Sequence, residues 1–209
     1  MEKVNGKNIT NSYSYEEYRE MVNDLFASGR TTGENHTESM MDYTKMNIQR
    51  MNRWDKKVEL SEEMKDALSR LDCSFDWILI SEAWCGDAAQ NLPILGAIAN
   101  HSEKINLQVI LRDENTEIMN DYLTNGGMSI PKLIVFNKDT GEEVTTWGPR
   151  PAILQQMVMD SKHSNNPIPY SEFSIEIQKW YNKDKGKTLQ KEVMSMIQNC
   201  LNYSVKAII

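Results

Sequence analysis

Cys85 is the residue whose surroundings point most clearly to chemistry. It stands in the segment Trp84-Cys85-Gly86-Asp87-Ala88. A thiolate can attack a disulfide and form a mixed disulfide, but a dithiol site needs a second thiol one helical turn later to release the product. That position holds Ala88, whose methyl group is not a nucleophile. The segment therefore predicts chemistry by a single thiol.

The acidity of Cys85 depends on its immediate neighbours. In the first turn of a helix, unpaired backbone N–H groups and the positive end of the helix dipole favour the thiolate. The carboxylate of Asp87, two residues along, opposes both effects. We therefore expect a thiol less acidic than that of a dithiol site, and we predict Cys85 and Asp87 as the catalytic residues.

The remaining cysteines and the histidines predict no further reactive centre. Cys73 precedes an apolar strand and Cys200 lies on an apolar helical stripe, so both are predicted to be buried hydrophobic residues. The three cysteines show neither a metal-ligand spacing nor an obvious disulfide framework. The three histidines are scattered through polar segments. We therefore predict no metal site and no cofactor.

Composition restricts the partners and the compartment. The chain has 209 residues, 40% of them hydrophobic, which is enough for a packed core. Its net charge of −7 argues against binding to nucleic acid or to an anionic membrane. No apolar run approaches the roughly 20 residues that span a bilayer, and residues 1–6 lack the apolar region of a secretory signal. We expect a cytoplasmic protein in a reducing compartment.

The central part of the chain alternates between strands and helices. The apolar run 75–81 is typical of a strand buried on both faces, and a hairpin signal separates the last two strands. The pattern predicts an α/β fold with a mixed central sheet in the order βαβαββα. The predicted strands are 75–81, 107–111, 132–137 and 143–147, and the helices are one after Cys85 that contains Pro93, then 114–123 and 149–160.

Helical segments flank this centre on both sides. Residues 1–12 are polar and are predicted to be frayed. Helices are predicted from Ser14, near residues 37–57 and after Ser61. A linker at 165–169 precedes two short amphipathic helices. We predict an N-terminal helical extension over 1–71, a core over 72–163 and a C-terminal helical extension over 164–209.

Two distant segments resemble the thioredoxin family. The first is Trp84-Cys85-Gly86 with Pro93 eight residues after the cysteine, and the second is Ser129-Ile130-Pro131 at the start of a strand. More narrowly, the chain resembles bacterial thioredoxin-like proteins with Trp-Cys-Gly-Asp in place of Trp-Cys-Gly-Pro-Cys. The resemblance covers residues 72–163 and implies a thioredoxin-like fold.

The resemblance also implies a site and shows a departure from it. It implies a cis Ile130–Pro131 bond facing Cys85, with a substrate groove formed by Trp84, Gly86, Ile130 and Pro131. Thioredoxins carry a buried carboxylate six residues before the attacking cysteine, where it moves protons for the resolving thiol. Leu79 occupies that position here. Loss of both the second thiol and its proton relay indicates a changed task.

Two functions follow from these residues. In the first, Cys85 forms a mixed disulfide with a protein or a low-molecular-weight thiol such as glutathione, or peroxide oxidises it to sulfenic acid that an external thiol reduces. This would be a one-thiol thiol-disulfide oxidoreductase. In the second, the chain is a non-catalytic binding module that uses the groove beside Pro131. An exposed Cys85 favours the first, and a Cys85 covered by the N-terminal helices favours the second. Both leave the oligomeric state open.

The helix near residues 37–57 carries candidate tuning residues. We predict that it lies near the Cys85 turn and that Arg50 or Arg53 pairs with Asp87, which would offset the carboxylate and help the Cys85 thiolate to form. The alternative is a solvated face of charges, where an exposed pair contributes at most about 1 kcal/mol.

Overall fold

The computed structural model describes residues 2–206, without the side chains of Tyr170 and of residues 199–206. A four-stranded sheet forms its centre, and two short strands form a separate hairpin. The strands are β1 Lys3–Val4, β2 Lys7–Asn8, β3 Phe75–Ser81, β4 Ile105–Leu111, β5 Lys132–Asn137 and β6 Glu143–Trp147. The helices are α1 Tyr15–Ala27, α2 Glu38–Lys57, α3 Glu62–Ser69, α4 Ala88–Asn100, α5 Thr116–Met119, α6 Ala152–Lys162, α7 Tyr170–Asp184 and α8 Lys187–Lys206.

The central sheet is mixed, with strand order β4-β3-β5-β6. β3 runs parallel to β4 and antiparallel to β5, so that Leu79 lies between Val109 and Leu133. Every residue of β3 is buried because strands flank it on both sides and helices cover the sheet. The succession β3-α4-β4-α5-β5-β6-α6 confirms the predicted βαβαββα order and the α/β fold class.

α4 is the helix that begins beside Cys85. It is apolar on nearly all sides, and this is typical of a helix surrounded by other elements. α2 packs against it. Its two buried amides have partners: Trp54 Nε1 donates to Gln90 Oε1 at 2.7 Å, and Asn91 Nδ2 donates to Tyr181 Oη at 3.0 Å. These polar contacts fix where α2 and α7 lie against the start of α4.

The prediction that residues 1–12 are frayed is wrong for the described part, residues 2–12. β1 and β2 form a hairpin whose turn residues Asn5 and Gly6 have φ values of 50° and 77°, as such tight turns require. Val4 is fully buried. The backbone of Tyr13 then exchanges two hydrogen bonds with Val109. The buried Val4 side chain and the backbone hydrogen bonds of Tyr13 anchor the segment. The polar composition of residues 1–12 predicts neither contact.

The flanking helices contribute to the same apolar core as the sheet. Met51 and Trp54 of α2 and Leu189 and Val193 of α8 belong to the cluster that contains Leu79. α3 also packs against α8, which joins the two ends of the chain. The division at residues 71/72 and 163/164 remains a prediction.

Some predicted features differ from the structure. The helix predicted over 114–123 is only α5 followed by a 3₁₀ turn at Asn120–Tyr122. Asn115 precedes α5, and its amide donates to the carbonyls of Leu111 and Thr10 at 2.9 and 3.0 Å. The amide therefore anchors this loop to β4 and to the N-terminal segment.

The predictions for the other two cysteines have different outcomes. Cys73 is buried, as predicted, whereas the side chain of Cys200 lies outside the described residues. Within residues 2–206, no helix combines the length and apolar character needed to cross a bilayer.

Candidate functional site

Cys85 lies in the turn between β3 and α4, just before the first residue of the helix. The Ala88 N–H donates to Cys85 Sγ at 3.4 Å, and the Cys85 thiol donates to the Ile130 carbonyl at 3.3 Å. Only 8% of the residue is exposed. The thiol is thus held between a donor that favours the thiolate and a carbonyl that favours the neutral form.

Burial is the largest influence on the pKa of the Cys85 thiol. Burial and, to a smaller extent, the nearby Asp87 carboxylate raise the pKa of Cys85, while hydrogen bonds from the Ala88 and Asp87 N–H groups and the charge of Arg150 lower it. The net result is a pKa of about 12. The direction agrees with the expected weakening by Asp87. Desolvation raises the pKa more than Asp87 does, and it depends on how the folded chain surrounds the thiol. At neutral pH the resting thiol is protonated.

The second predicted segment lies directly beside Cys85. The Ile130–Pro131 peptide bond is cis, and both residues are buried at the start of β5. Trp84 is half-buried, and the guanidinium of Arg112 lies 4.8 Å from its ring centroid. A Cβ on Gly86 would lie 3.3 Å from Arg50 Nη1, so the Arg50 guanidinium lies beside Gly86 and leaves little room there for a larger side chain. The structure therefore brings the predicted groove residues together around Cys85.

Asp87 belongs to a buried polar network. Arg150 Nη2 lies 2.6 Å from one carboxylate oxygen, and Tyr181 Oη donates to the other at 2.8 Å. Asn91 Nδ2 donates to both the Asp87 carbonyl and Tyr181 Oη. Burial raises the pKa of Asp87, and Arg150 and Tyr181 oppose that rise by stabilising the carboxylate. The carboxylate is thus oriented by two side chains, those of Arg150 and Tyr181, and Asn91 holds Tyr181 in place.

The prediction that Asp87 pairs with Arg50 or Arg53 is wrong, because the ion pair is made with Arg150. α2 does lie beside the Cys85 turn, since the buried Asn47 donates to the Ala83 carbonyl at 2.9 Å. Arg50 is close enough to Asp87 for electrostatic attraction, but the ion pair is made by Arg150. Arg53 lies over the ring of Trp54, at a centroid distance of 5.8 Å. The geometry therefore gives Arg53 no role at the thiol.

Sequence reasoning missed Arg150, Tyr181 and Asn91. Arg150 follows β6 between Pro149 and Pro151, and an arginine held between two prolines beside a predicted strand end is a signal that could have been noticed. Tyr181 lies on a helical stripe and resembles an ordinary core residue. No local pattern indicates that its hydroxyl reaches Asp87.

An open cleft of about 640 Å³ leads to Cys85. α2 forms one wall, α7 another, and the segment before Pro131 a third. The apolar side chains exposed in it are Tyr43, Met46, Met128 and Ile175. The charged side chains that line it are Arg50, Asp87, Arg112 and Arg150. The cleft can therefore accept a partly apolar ligand whose reacting group reaches Sγ.

No cluster of three potential metal ligands occurs among the residues that the structure describes. Among the side chains that line the cleft, Cys85 is the one with a thiol, and Asp87 and the arginines are its charged neighbours. Such a site can perform thiol–disulfide exchange or bind a ligand without reaction.

Comparison with known proteins supports the family relationship and the fold. The sequence model of a family described as Thioredoxin matches residues 33–164. A protein of unknown function from Pseudomonas aeruginosa has a similar structure, with a TM-score of 0.57 and 16% identity over 90% of this chain and 99% of that one. An HIV epitope scaffold has a TM-score of 0.54 and 16% identity over 84% of this chain and 96% of its own. No significant match to a curated protein was found.

Proposed function

Because the chain belongs to the thioredoxin family, we propose that it is a single-thiol member in which Cys85 forms mixed disulfides with a protein or a low-molecular-weight thiol. One observation carries the proposal. Sγ of Cys85 lies at the end of an open cleft and 3.3 Å from the Ile130 carbonyl beside the cis proline. A ligand lying along this segment would bring its own sulfur to Sγ.

The reaction has a simple balance. Cys85 loses its proton, and the thiolate attacks one sulfur of a disulfide RSSR. The S–S bond of the ligand breaks as the Cys85–S–SR bond forms, and the departing thiolate takes up a proton and leaves as RSH. Cys85 and one ligand sulfur remain joined as a mixed disulfide. An external thiol then reduces this bond, because Ala88 offers no internal thiol.

The proposal includes the finer points of the family assignment. We place the chain in the bacterial group with a Trp-Cys-Gly-Asp site, working in a reducing cytosol that supplies the external thiol. Peroxide offers a second route to a mixed disulfide: it oxidises Cys85 to sulfenic acid and is itself reduced to water, and an external thiol then condenses with the sulfenic acid, releasing a second water. A further external thiol reduces the mixed disulfide, as in the first route. Because burial keeps the resting thiol neutral, either reaction should be slow at neutral pH and faster as the pH rises.

Intact-protein mass spectrometry tests this function. Reduced wild-type protein is incubated with glutathione disulfide, and we expect the mass of one glutathionyl group to be added and then removed by dithiothreitol. Cys85→Ser is the matched control and should remain unmodified. If the wild type stays unmodified while a short cysteine peptide in the same tube reacts fully, the proposed exchange is wrong.

A non-catalytic binding module is the second candidate, and a specific observation favours it. Cys85 is 92% covered, and the apolar side chains that line the cleft are themselves exposed. In this case the groove beside Pro131 binds a partner and the thiol is incidental. Retention of a partner by Cys85→Ala with unchanged affinity, together with no adduct in the mass experiment, would favour this function.

A further inference from the structure

Arg50 lines the Cys85 cleft without serving the role first predicted for it. Its Nη1 donates to Asn47 Oδ1 at 2.8 Å. Asn47 is fully buried and is itself held by its bond to the Ala83 carbonyl. Nη1 also lies beside Gly86, the residue that follows the thiol. A fixed neighbour thus holds the guanidinium next to the reacting position, with most of its five N–H donors unused.

The charges that line the cleft do not cancel. Asp87 is paired with Arg150 at 2.6 Å, and Arg112 is paired with Asp113 at 2.8 Å. Arg50 makes no ion pair with any residue in the described range 2–206. One positive charge is therefore left over beside Cys85, in a chain whose net charge is −7. An anion entering the cleft would be attracted to this position in particular.

The other two arginines are less suited to bind a ligand. Arg150 is largely buried and holds Asp87, and Arg112 lies against the Trp84 ring and Asp113. A ligand that took either guanidinium would have to displace an existing partner. Arg50 can bind a ligand without breaking an ion pair. Its planar guanidinium can donate to both oxygens of a carboxylate while Nη1 keeps its hydrogen bond to Asn47.

We propose that Arg50 binds a carboxylate of the ligand, so that Cys85 selects disulfides that carry an anionic group a few bonds from sulfur. This inference rests on the proposed function and names its substrate class. The position of Arg50 supports the short spacing, since a Cβ on Gly86, the residue next to Cys85, would lie 3.3 Å from Arg50 Nη1. Neutral or cationic disulfides of the same size would lack this contact.

The rate of mixed-disulfide formation tests the selection. Wild-type protein is reacted separately with dithiodipropionate, hydroxyethyl disulfide and cystamine, and each rate is divided by that of N-acetylcysteinamide, which corrects for reagent reactivity. We expect the corrected rate for the anion to exceed that for the cation by about tenfold, as for a charged hydrogen bond. Arg50→Gln should remove the preference, and Arg50→Lys should keep part of it.

Arg70→Gln is the matched control, because it removes one positive charge from an exposed position at the end of α3. It should keep the full preference. Equal corrected rates for the three reagents in the wild type, or an unchanged preference in Arg50→Gln, would overturn the assignment of Arg50.

A binding measurement separates this inference from the chemistry. Methylthiopropionate, which carries no disulfide, is titrated into Cys85→Ser while the Trp84 indole resonance is followed by NMR. We expect saturable binding that is weaker for the amide of the same compound and is lost in Cys85→Ser/Arg50→Gln. Binding without any reaction of the disulfides would contradict the proposed function alone. Equal binding of acid and amide would contradict the role of Arg50.

Discussion

The charge of Asp87 makes the neighbouring Cys85 thiol harder to ionise. Both are buried, and the Asp87 carboxylate is among the causes that raise the pKa of the Cys85 thiol. Arg150 and Tyr181 stabilise the carboxylate, so the negative charge stays on Asp87 and the proton stays on Cys85. The resting site is therefore a protonated thiol beside a carboxylate held by two partners.

The pKa of Cys85 predicts a pH dependence of stability. In the folded protein the pKa of Cys85 is about 12, above the ordinary value of 9.0. At a pH between these two values, the thiol keeps its proton in the folded chain and loses it in the unfolded chain. This stabilisation is complete below 9.0 and is lost as the pH rises toward the folded value. One pH unit above 9.0, the loss should be about 1.4 kcal/mol.

Urea unfolding of reduced wild type and Cys85→Ser, measured across this range, isolates the effect of the one thiol. The free energy of unfolding should fall more steeply with pH in the wild type, since the groups common to both proteins cancel. Parallel curves would show that the thiol is no harder to ionise in the folded chain.

Ala88 predicts the absence of an activity and a way to restore it. The wild type should fail to reduce insulin with a thioredoxin-reductase system, because no second thiol resolves the mixed disulfide. Ala88→Cys should gain measurable turnover, since the Ala88 N–H already lies 3.4 Å from Sγ. The gain should stay below that of a thioredoxin because Leu79 provides no proton relay. Robust turnover by the wild type, or none by the variant, would contradict this account.

α7 supplies the hydroxyl that completes the Asp87 network. Tyr181 lies at the contact of α7 with α4, where its hydroxyl donates to Asp87 and accepts from Asn91. Gln178, one turn earlier, accepts from Gln90 Nε2 at 2.7 Å. A helix beyond the core strands thus helps to set the electrostatics of the cysteine turn.

Tyr181→Phe should destabilise the protein by about 1–3 kcal/mol, because a buried carboxylate loses one of its hydrogen-bond donors. Chemical denaturation at neutral pH measures the change. Tyr43→Phe is the matched control, since Tyr43 is 42% exposed, and its effect should stay within about 0.5 kcal/mol. Equal stability of the two variants would mean that the Tyr181 hydroxyl does not support Asp87.

The largest apolar cluster of the described residues joins both ends of the chain to the central sheet. α2, the central sheet and α8 all contribute to it, and a smaller cluster joins Leu154 and Val158 of α6 to Ile177 and Tyr181 of α7. Removing the flanking helices would expose these faces of the central part to water. The fold therefore depends on regions at both ends of the chain.

A fragment of residues 72–163 is expected to aggregate or to lack cooperative unfolding, because it loses the side chains that cover α4 and the sheet. Circular dichroism during heating and size-exclusion chromatography would measure this, with the full chain as the control. A monomeric fragment with a sharp thermal transition would show that the flanking helices are dispensable.

The sequence by itself determined most of the central strands and helices and singled out the candidate reacting residue. The apolar run of β3, the hairpin between β5 and β6, and the proline within α4 are local patterns, and local periodicity follows from backbone geometry. The thiol at Cys85 and the methyl group at position 88 are likewise read from the sequence alone, and they show that this turn offers one thiol and not two. Two short motifs were enough to predict that Cys85 and Pro131 meet.

The tertiary structure alone decided which charges meet. On chemical grounds Asp87 could pair with any of three arginines, Arg50, Arg53 or Arg150. The ion pair is made by Arg150, which the fold places beside Asp87 after β6. Burial of Cys85 likewise depends on its surroundings in the fold. Ion pairing and desolvation depend on distances of a few ångströms between segments remote in sequence, which local patterns do not encode.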